Sequence, residues 1–276
     1  MPVYNGGLYL REAIQSILDQ SYKNFELLIL NDGSTDNSEK IIGEYKDARI
    51  IAKSQENQGL IRTLNSLIHL AKGTYIARMD PDDVMLPERI RLQVEYLNSH
   101  PNVGLVGSWI QVIDSNSDTL GTIKYPVTNT GIRITLAFRT AFTHGAVMLR
   151  RSLQPVYSLA YPHAEDFELW CRLLQQTYGA NIPQVLYQWR FHASSTSNTL
   201  RTPQGQMAKK IKKQYGKALL QHPPAELTNE LAKEVKYRGI WPQWKFFFKI
   251  LLHYPFLSFT RKFLFALFTV QSNHTS

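Results

Sequence analysis

Apolar residues recur along the first hundred positions in two alternating rhythms. After the turn Asn5-Gly6-Gly7, Leu10, Ala13, Ile14, Ile17 and Leu18 keep the three-and-four spacing of a helix, predicted over residues 8–20. Residues 25–30 form an apolar run that ends in Asn31-Asp32-Gly33-Ser34, the pattern of a strand closed by a turn. A helix over 36–45 follows, with Asp36 and Glu39 spaced as a capping box. Residues 49–52 read as a short strand. Asn57-Gln58-Gly59 opens a helix whose apolar face is Leu60, Leu64, Leu67, Ile68 and Ala71. Residues 75–79 are a strand that stops at Asp80-Pro81-Asp82-Asp83, because proline cannot continue it. A further helix starts at Pro87 and carries Ile90, Val94 and Leu97 on one face. Strands separated by helices imply right-handed crossovers and an α/β fold with a mostly parallel sheet.

The second hundred positions depart from that rhythm. Residues 103–113 form a long strand, 114–118 a turn rich in Ser, Asn and Asp, and 120–124 an antiparallel return, so the sheet becomes mixed. A short helix over 129–138, a strand over 142–150 and a helix opened by Glu165-Asp166 follow. At the other end, the chain begins Met1-Pro2-Val3-Tyr4-Asn5, so the first turn has no full apolar strand before it. The expectation is a sheet missing that strand, as in a truncated reading frame, with ladder groups left exposed beside it.

Charge divides the chain in two. Residues 201–276 hold 13 Lys or Arg against 3 Glu, a balance of +10, while residues 1–200 hold 18 against 19, a balance of −1. A nearly neutral body of 200 residues therefore carries a basic tail. Cys171 is the only cysteine of the 276 residues, which excludes an internal disulfide and suits a reducing, cytoplasmic compartment.

Three carboxylates within four residues at the end of a strand are the chemistry-bearing feature. Open α/β sheets bind ligands at the carboxyl ends of their strands, and hard divalent cations take carboxylates together with substrate phosphates. Asp80 and Asp82 suit one such cation bound to a diphosphate. A solvated Asx-type turn is the competing reading of the same residues.

Six segments in order resemble the family 2 glycosyltransferases of GT-A fold. They are Pro2-Val-Tyr-Asn5, Asn31-Asp-Gly-Ser-Thr-Asp36, Asn57-Gln-Gly59, Lys72-Gly-Thr-Tyr-Ile-Ala77, Asp80-Pro-Asp-Asp83 with Leu86-Pro-Glu-Arg89, and Glu165-Asp166 with Leu169-Trp170. The resemblance covers residues 1–200 and implies a Rossmann-like sheet flanked by helices, followed by a helical, basic and aromatic tail over 201–276. It also implies inverting transfer of a sugar from a nucleotide diphosphate donor, UDP-sugar being the expected one, in surface-polysaccharide synthesis. Carried over, Pro2, Tyr4, Asn5, Asp32, Asn57, Gly59, Arg62 and Asp80 fall to donor binding. Asp82, Asp80 and His192 fall to Mn2+ or Mg2+, with Asp83 behind them. Asp166 is the base that takes the acceptor's proton, with Glu165 beside it. For Arg62 a solvated helix charge, for His144 a structural hydrogen bond, and for His192 simple packing compete with the functional roles. The Gln-x-x-Arg-Trp motif of the processive members is not found, which favours single addition.

The expected acceptor is a glycan or lipid-linked hydroxyl. In the tail, residues 206–220 and 225–237 read as helices. Lys245, Lys249 and His253 form one polar stripe on an aromatic helix within 242–270, as expected of peripheral membrane contact at the cytoplasmic face, with docking on the body as the alternative. The longest uncharged stretch before Arg261 is 11 residues, short of the roughly 20 that span a bilayer. A sugar-1-phosphate nucleotidyltransferase, or a non-catalytic sugar- or nucleic-acid-binding protein, are the other readings. The first lacks its N-terminal Gly-rich loop, and nucleic-acid binding is disfavoured by the neutral body and the want of a recognised motif.

Overall fold

The computed structural model describes residues 1–192 and 201–219. Expectations for 225–237 and 242–270 lie outside the described residues. The elements run β1 (Pro2–Val3), α1 (Leu10–Leu18), β2 (Leu27–Asp32), α2 (Ser38–Glu44), β3 (Ile50–Gln55), α3 (Leu60–Leu70), β4 (Tyr75–Ala77), β5 (Val84–Met85) and α4 (Arg89–Ser99). Then come β6 (Val103–Ile113), β7 (Thr119–Ile123), α5 (Asn129–Leu136), β8 (Met148–Arg150), α6 (Glu165–Leu173), β9 (Tyr178–Arg190) and α7 (Arg201–Leu219). The α/β class is the expected one, and two sheets carry it. β1, β2 and β3 pair in parallel, whereas the second sheet runs β4-β8-β6-β9-β5, with β7 on β6. Its one parallel pair is β6 with β9.

At the chain start β1 is present but two residues long, and the Met1 nitrogen donates to Leu28 O at 2.8 Å. A trench of about 770 Å³ runs on from Met1 between β2 and β4, walled by Leu27, Leu64, Leu67, Tyr75 and Ile76. Among the described residues no strand lies in it.

Helices cover both faces, and strand alternation feeds two cores. Leu105 belongs to the core that also takes in residues of α5, α6 and α7, while its neighbour Val106 belongs to the one that takes in residues of α1, α2 and α4. Met148 and Leu149 on β8 divide in the same way. Ile211, Tyr215 and Leu219 recur every four residues along α7 and are buried against α6, each stabilising the packing by about 1.5–3 kcal/mol. Arg133 on α5 donates to the last carbonyls of α7, at Ala218 (2.8 Å) and Leu219 (3.2 Å), supplying the cationic cap that a helix C-terminus favours. The start of the basic tail, α7, is therefore packed on the body. Among the described residues no helix is long and apolar enough to cross a membrane.

Local expectations fail where a longer-range partner wins. The capping box does not form: Asp36 accepts from Ser38 N and Gly7 N, both at 2.9 Å, and Glu39 accepts from Ser54 Oγ at 3.0 Å. The expected strand over 142–150 starts instead as a 3-10 turn at His144–Ala146, so only Met148–Arg150 pairs.

Candidate active site

The acidic turn is held from beneath by β9. The Asp83 carboxylate is buried and accepts from Tyr187 Oη and from Arg190 N, each at 2.7 Å. Burial, then the charges of Asp80 and Asp82, push its pKa well above the usual carboxylate range. Arg190 is buried and its guanidinium fastens four segments together. It donates to Asp82 O (2.9 Å), Asp114 O (3.0 Å), Ser117 Oγ (2.9 Å) and Glu12 Oε2 (2.5 Å), and it lies over the Tyr9 ring. The turn is thus fixed in place by a strand about a hundred residues away.

Two buried arginines brace its approach. Arg89, the last residue of Leu86-Pro-Glu-Arg89, donates to Arg78 O (3.0 Å), Val147 O (3.1 Å) and Gln93 Oε1 (3.1 Å) and sits over the Tyr187 ring. Burial brings its pKa down to about 10, so it keeps its charge at neutral pH. Arg78 ion-pairs with Asp80. Its charge reaches across the cleft, opposing the upward shifts of Glu165 and Asp166 and, together with burial, holding His144 neutral.

The opposite wall comes from α6. His163 adopts a left-handed backbone (φ 67°) just before the helix, and Glu165 and Asp166 follow in its first turn. Asp166 Oδ1 accepts from Phe167 N at 2.7 Å. Burial first, then the neighbouring Glu165 charge, raise Asp166 to about 7, and burial raises Glu165 as well. His144 Nε2 lies 2.7 Å from Tyr157 Oη, so the histidine has its structural bond while also lining the cleft. Asn65 on α3 bonds both the N–H and the carbonyl of Tyr157, tying this wall to α3.

Gly145 sits where these parts meet. A β-carbon there would fall 2.0 Å from Tyr187 Oη and 2.9 Å from Asp80 Oδ2. Gly145→Ala is expected to drive Tyr187 off Asp83 and to cost about 1–3 kcal/mol, the usual scale of overpacking. Urea unfolding checks this, and a midpoint equal to wild type contradicts it.

At the start of α3, Asp32 is buried and accepts from Gln55 Nε2 (2.7 Å), Gln58 N (2.9 Å) and Gly59 N (2.9 Å). Asn5 accepts from Thr35 N at 2.8 Å and binds the first turn to the second. Gly59, in a left-handed conformation (φ 84°), starts α3 and presents Arg62.

These walls enclose a cleft of about 610 Å³, a size suited to a small-molecule ligand. Of the residues singled out in the sequence, Gly59, Arg62, Asp80, Asp82, Glu165 and Asp166 line it together, with Asp83. Pro2, Tyr4, Asn5, Asp32 and Asn57 are not among its lining residues: Pro2 is buried in β1, and Asn5 and Asp32 brace the turns around the cleft. His192 enters through Asp82, its Nε2 lying 3.0 Å from Oδ2. Arg78 and Gly145 were given no role from the sequence, and in residues 187–197, which resemble the segment closing the family's active sites, only His192 was given one; Tyr187, Trp189 and Arg190 gain theirs from the fold.

Among the described residues no three His, Cys, Asp or Glu side chains form a metal cage. Asp82 with His192 is the available donor pair, since Asp80 Oδ1 is turned to Arg78. A pair of this kind fits a cation whose remaining ligands are phosphate oxygens, and the imidazole suits Mn2+ better than Mg2+.

The profile of glycosyl transferase family 2 matches residues 1–154. An uncharacterised glycosyltransferase of Haemophilus influenzae is 31% identical over 226 residues, covering 76% of this chain and 70% of its own. The Escherichia coli O-antigen biosynthesis glycosyltransferase WbnJ is 32% identical over 208 residues, covering 72% and 81%. Among solved structures, Staphylococcus aureus TarS 1–349 in complex with UDP-GlcNAc superposes with a TM-score of 0.63 at 16% identity, over 88% of this chain and 75% of that one. The mannosyltransferase PcManGT of Pyrobaculum calidifontis, in complex with GDP-Man and Mn2+, gives 0.57 at 17%, over 99% and 85%. With its acidic turn and carboxylate-bearing helix facing one cleft, the chain belongs to glycosyl transferase family 2 and has the GT-A fold.

Proposed function

We propose that the cleft moves a sugar, with inversion, from a pyrimidine nucleotide diphosphate donor, UDP-sugar first, to a hydroxyl of a glycan or lipid-linked acceptor in surface-polysaccharide synthesis. The observation that carries this is the meeting of Asp80 and Asp82 with Asp166, some 85 residues apart along the chain, in one cleft. The TarS complex with UDP-GlcNAc and the O-antigen role in the name of WbnJ support donor class and pathway type. Work at the cytoplasmic membrane face suits the basic composition of residues 201–276.

In this mechanism Asp166 accepts the proton of the acceptor hydroxyl as its oxygen bonds to the anomeric carbon, and the bond from that carbon to the diphosphate breaks on the opposite side. Asp166, raised to about 7, is basic enough for the task and largely ionised just above neutrality. Asp82 and His192 would hold a divalent cation, which supplies charge neutralisation for the departing diphosphate. Arg78 keeps Asp80 in place, and Arg190 and Tyr187 hold the turn rigid so that little reorganisation accompanies transfer.

Saturating UDP with Mn2+ is expected to raise the thermal midpoint by roughly 5–10 °C, the effect of about a hundredfold excess over the dissociation constant on a domain of this size. Single-stranded oligonucleotide should not. No shift with UDP, or an equal shift with the oligonucleotide, contradicts the reading.

A further inference from the structure

One face of the second sheet continues past the acidic turn and is bare of charge. Register places Ile123 of β7 opposite Ile110 of β6, and Ile110 beside Tyr187 of β9. The next row on that face is Gly121, Val112 and Trp189. Ile110, Ile123, Tyr125 and Trp189 all line the cleft. The alternate residues face away, where Lys124 lies over the Trp109 ring at 5.0 Å and the Gln188 amide donates to Gln111 Oε1 at 2.6 Å. A β-carbon on Gly121 would have nothing within 4 Å, so the row is open beyond Val112. The first row ends at Tyr187, whose hydroxyl holds Asp83, which sets this shelf directly against the reacting end of the cleft.

Charge decides what the shelf accepts. The cleft lining holds five carboxylates, Asp80, Asp82, Asp83, Glu165 and Asp166, against two cations, Arg62 and Arg78. Arg62 lies on the donor side and Arg78 is already paired with Asp80. The charge of a nucleotide-sugar diphosphate and that of the divalent cation proposed at Asp82 and His192 largely offset each other, so the excess of lining carboxylates still decides the balance and repels another anion. An uncharged pyranose has the complementary surface: an apolar C–H face that an indole ring can cover, and a hydroxyl rim for the polar groups around it. We propose, building on the transferase reading, that the β7-β6-β9 shelf takes the uncharged terminal pyranose of the acceptor, stacked on Trp189. It discriminates against acceptors bearing a carboxylate or phosphate on that ring. Trp189 is thus a specificity-determining residue, and Ile123 marks the edge at which an anionic acceptor is refused.

Saturation-transfer NMR on the full chain with UDP and Mg2+ tests this, using methyl glycosides of glucose, galactose and N-acetylglucosamine against methyl glucuronide and glycerol 3-phosphate. At least one neutral glycoside is expected to bind about tenfold or more tightly than either anion. Trp189→Ala should weaken it at least about fivefold while Trp189→Phe retains it, since a ring still covers the sugar face. Ile123→Lys, at a part-exposed position, should narrow the gap to the glucuronide. UDP signals in the same spectra report the donor site separately, so failure of nucleotide binding, which counts against the transferase reading, is not confused with failure of the shelf. Equal or tighter binding of an anion, unchanged binding by Trp189→Ala, or silence from every neutral glycoside overturns the proposal.

Discussion

Asp166→Asn is expected to lower sugar transfer by about a hundredfold or more while leaving nucleotide and metal binding intact. The amide keeps the shape of the carboxylate but cannot accept the proton of the acceptor hydroxyl. The pH profile sharpens the test. Burial and the Glu165 charge raise Asp166 to about 7, and the ionised form is the base. Wild-type turnover should therefore rise with pH through about 7 and level off above it, and the variant's residual rate should lose that limb. Folding gives a control, because an amide at a partly buried site avoids the desolvation that a carboxylate suffers there. The unfolding midpoint at pH 8 should be unchanged or higher. Near-normal turnover by Asp166→Asn would move the base to Glu165, which lies beside it and is also raised.

Asp82→Ala should fail differently, losing metal-dependent affinity for UDP and losing transfer together. Its carboxylate is the one paired with His192 rather than committed to an arginine, so its removal takes away the donor pair without stranding a buried cation. Asp80 is a poorer test. Arg78 is buried, and deleting its partner leaves an uncompensated charge, a change that typically costs about 3–5 kcal/mol. A loss of activity in Asp80→Ala would thus mix unfolding with catalysis. Calorimetric titration of UDP with and without Mn2+ separates the two outcomes for Asp82→Ala. Unchanged Mn2+-dependent affinity would remove Asp82 from the metal site.

What the sequence disclosed depended on how local each signal was. The strand over 103–113 was bounded correctly because its run carries no charge or proline and is closed by the turn at 114–118, and α6 was placed by two acids ahead of an amphipathic segment. β9 was not predicted, although it is the longest strand described. Its run is broken by Asn181, Pro183 and Gln184. Asn181 is buried because its amide donates to Pro126 O and Ala141 O. Pro183 and Gln184 are exposed in a bulge, where Ser108 pairs with Ile182 and Trp109 with Val185. With β9 unseen, the fastening of the acidic turn by Tyr187 and Arg190 could not be read either. Asp32 shows the same limit: a carboxylate suited to a pyrimidine ring is also suited to two backbone N–H groups, and only folding reveals that it holds them.

In the proposed mechanism this cleft breaks the sugar–diphosphate bond with a cation held at Asp82. The most direct test is nucleoside diphosphate release from a panel of nucleotide sugars by the full chain at pH 8, with Mn2+ or with chelator, beside Asp82→Ala. Release from a pyrimidine nucleotide sugar that needs the cation and is absent from the variant is expected. Release that persists in chelator, or that Asp82→Ala sustains at the wild-type rate, would contradict it.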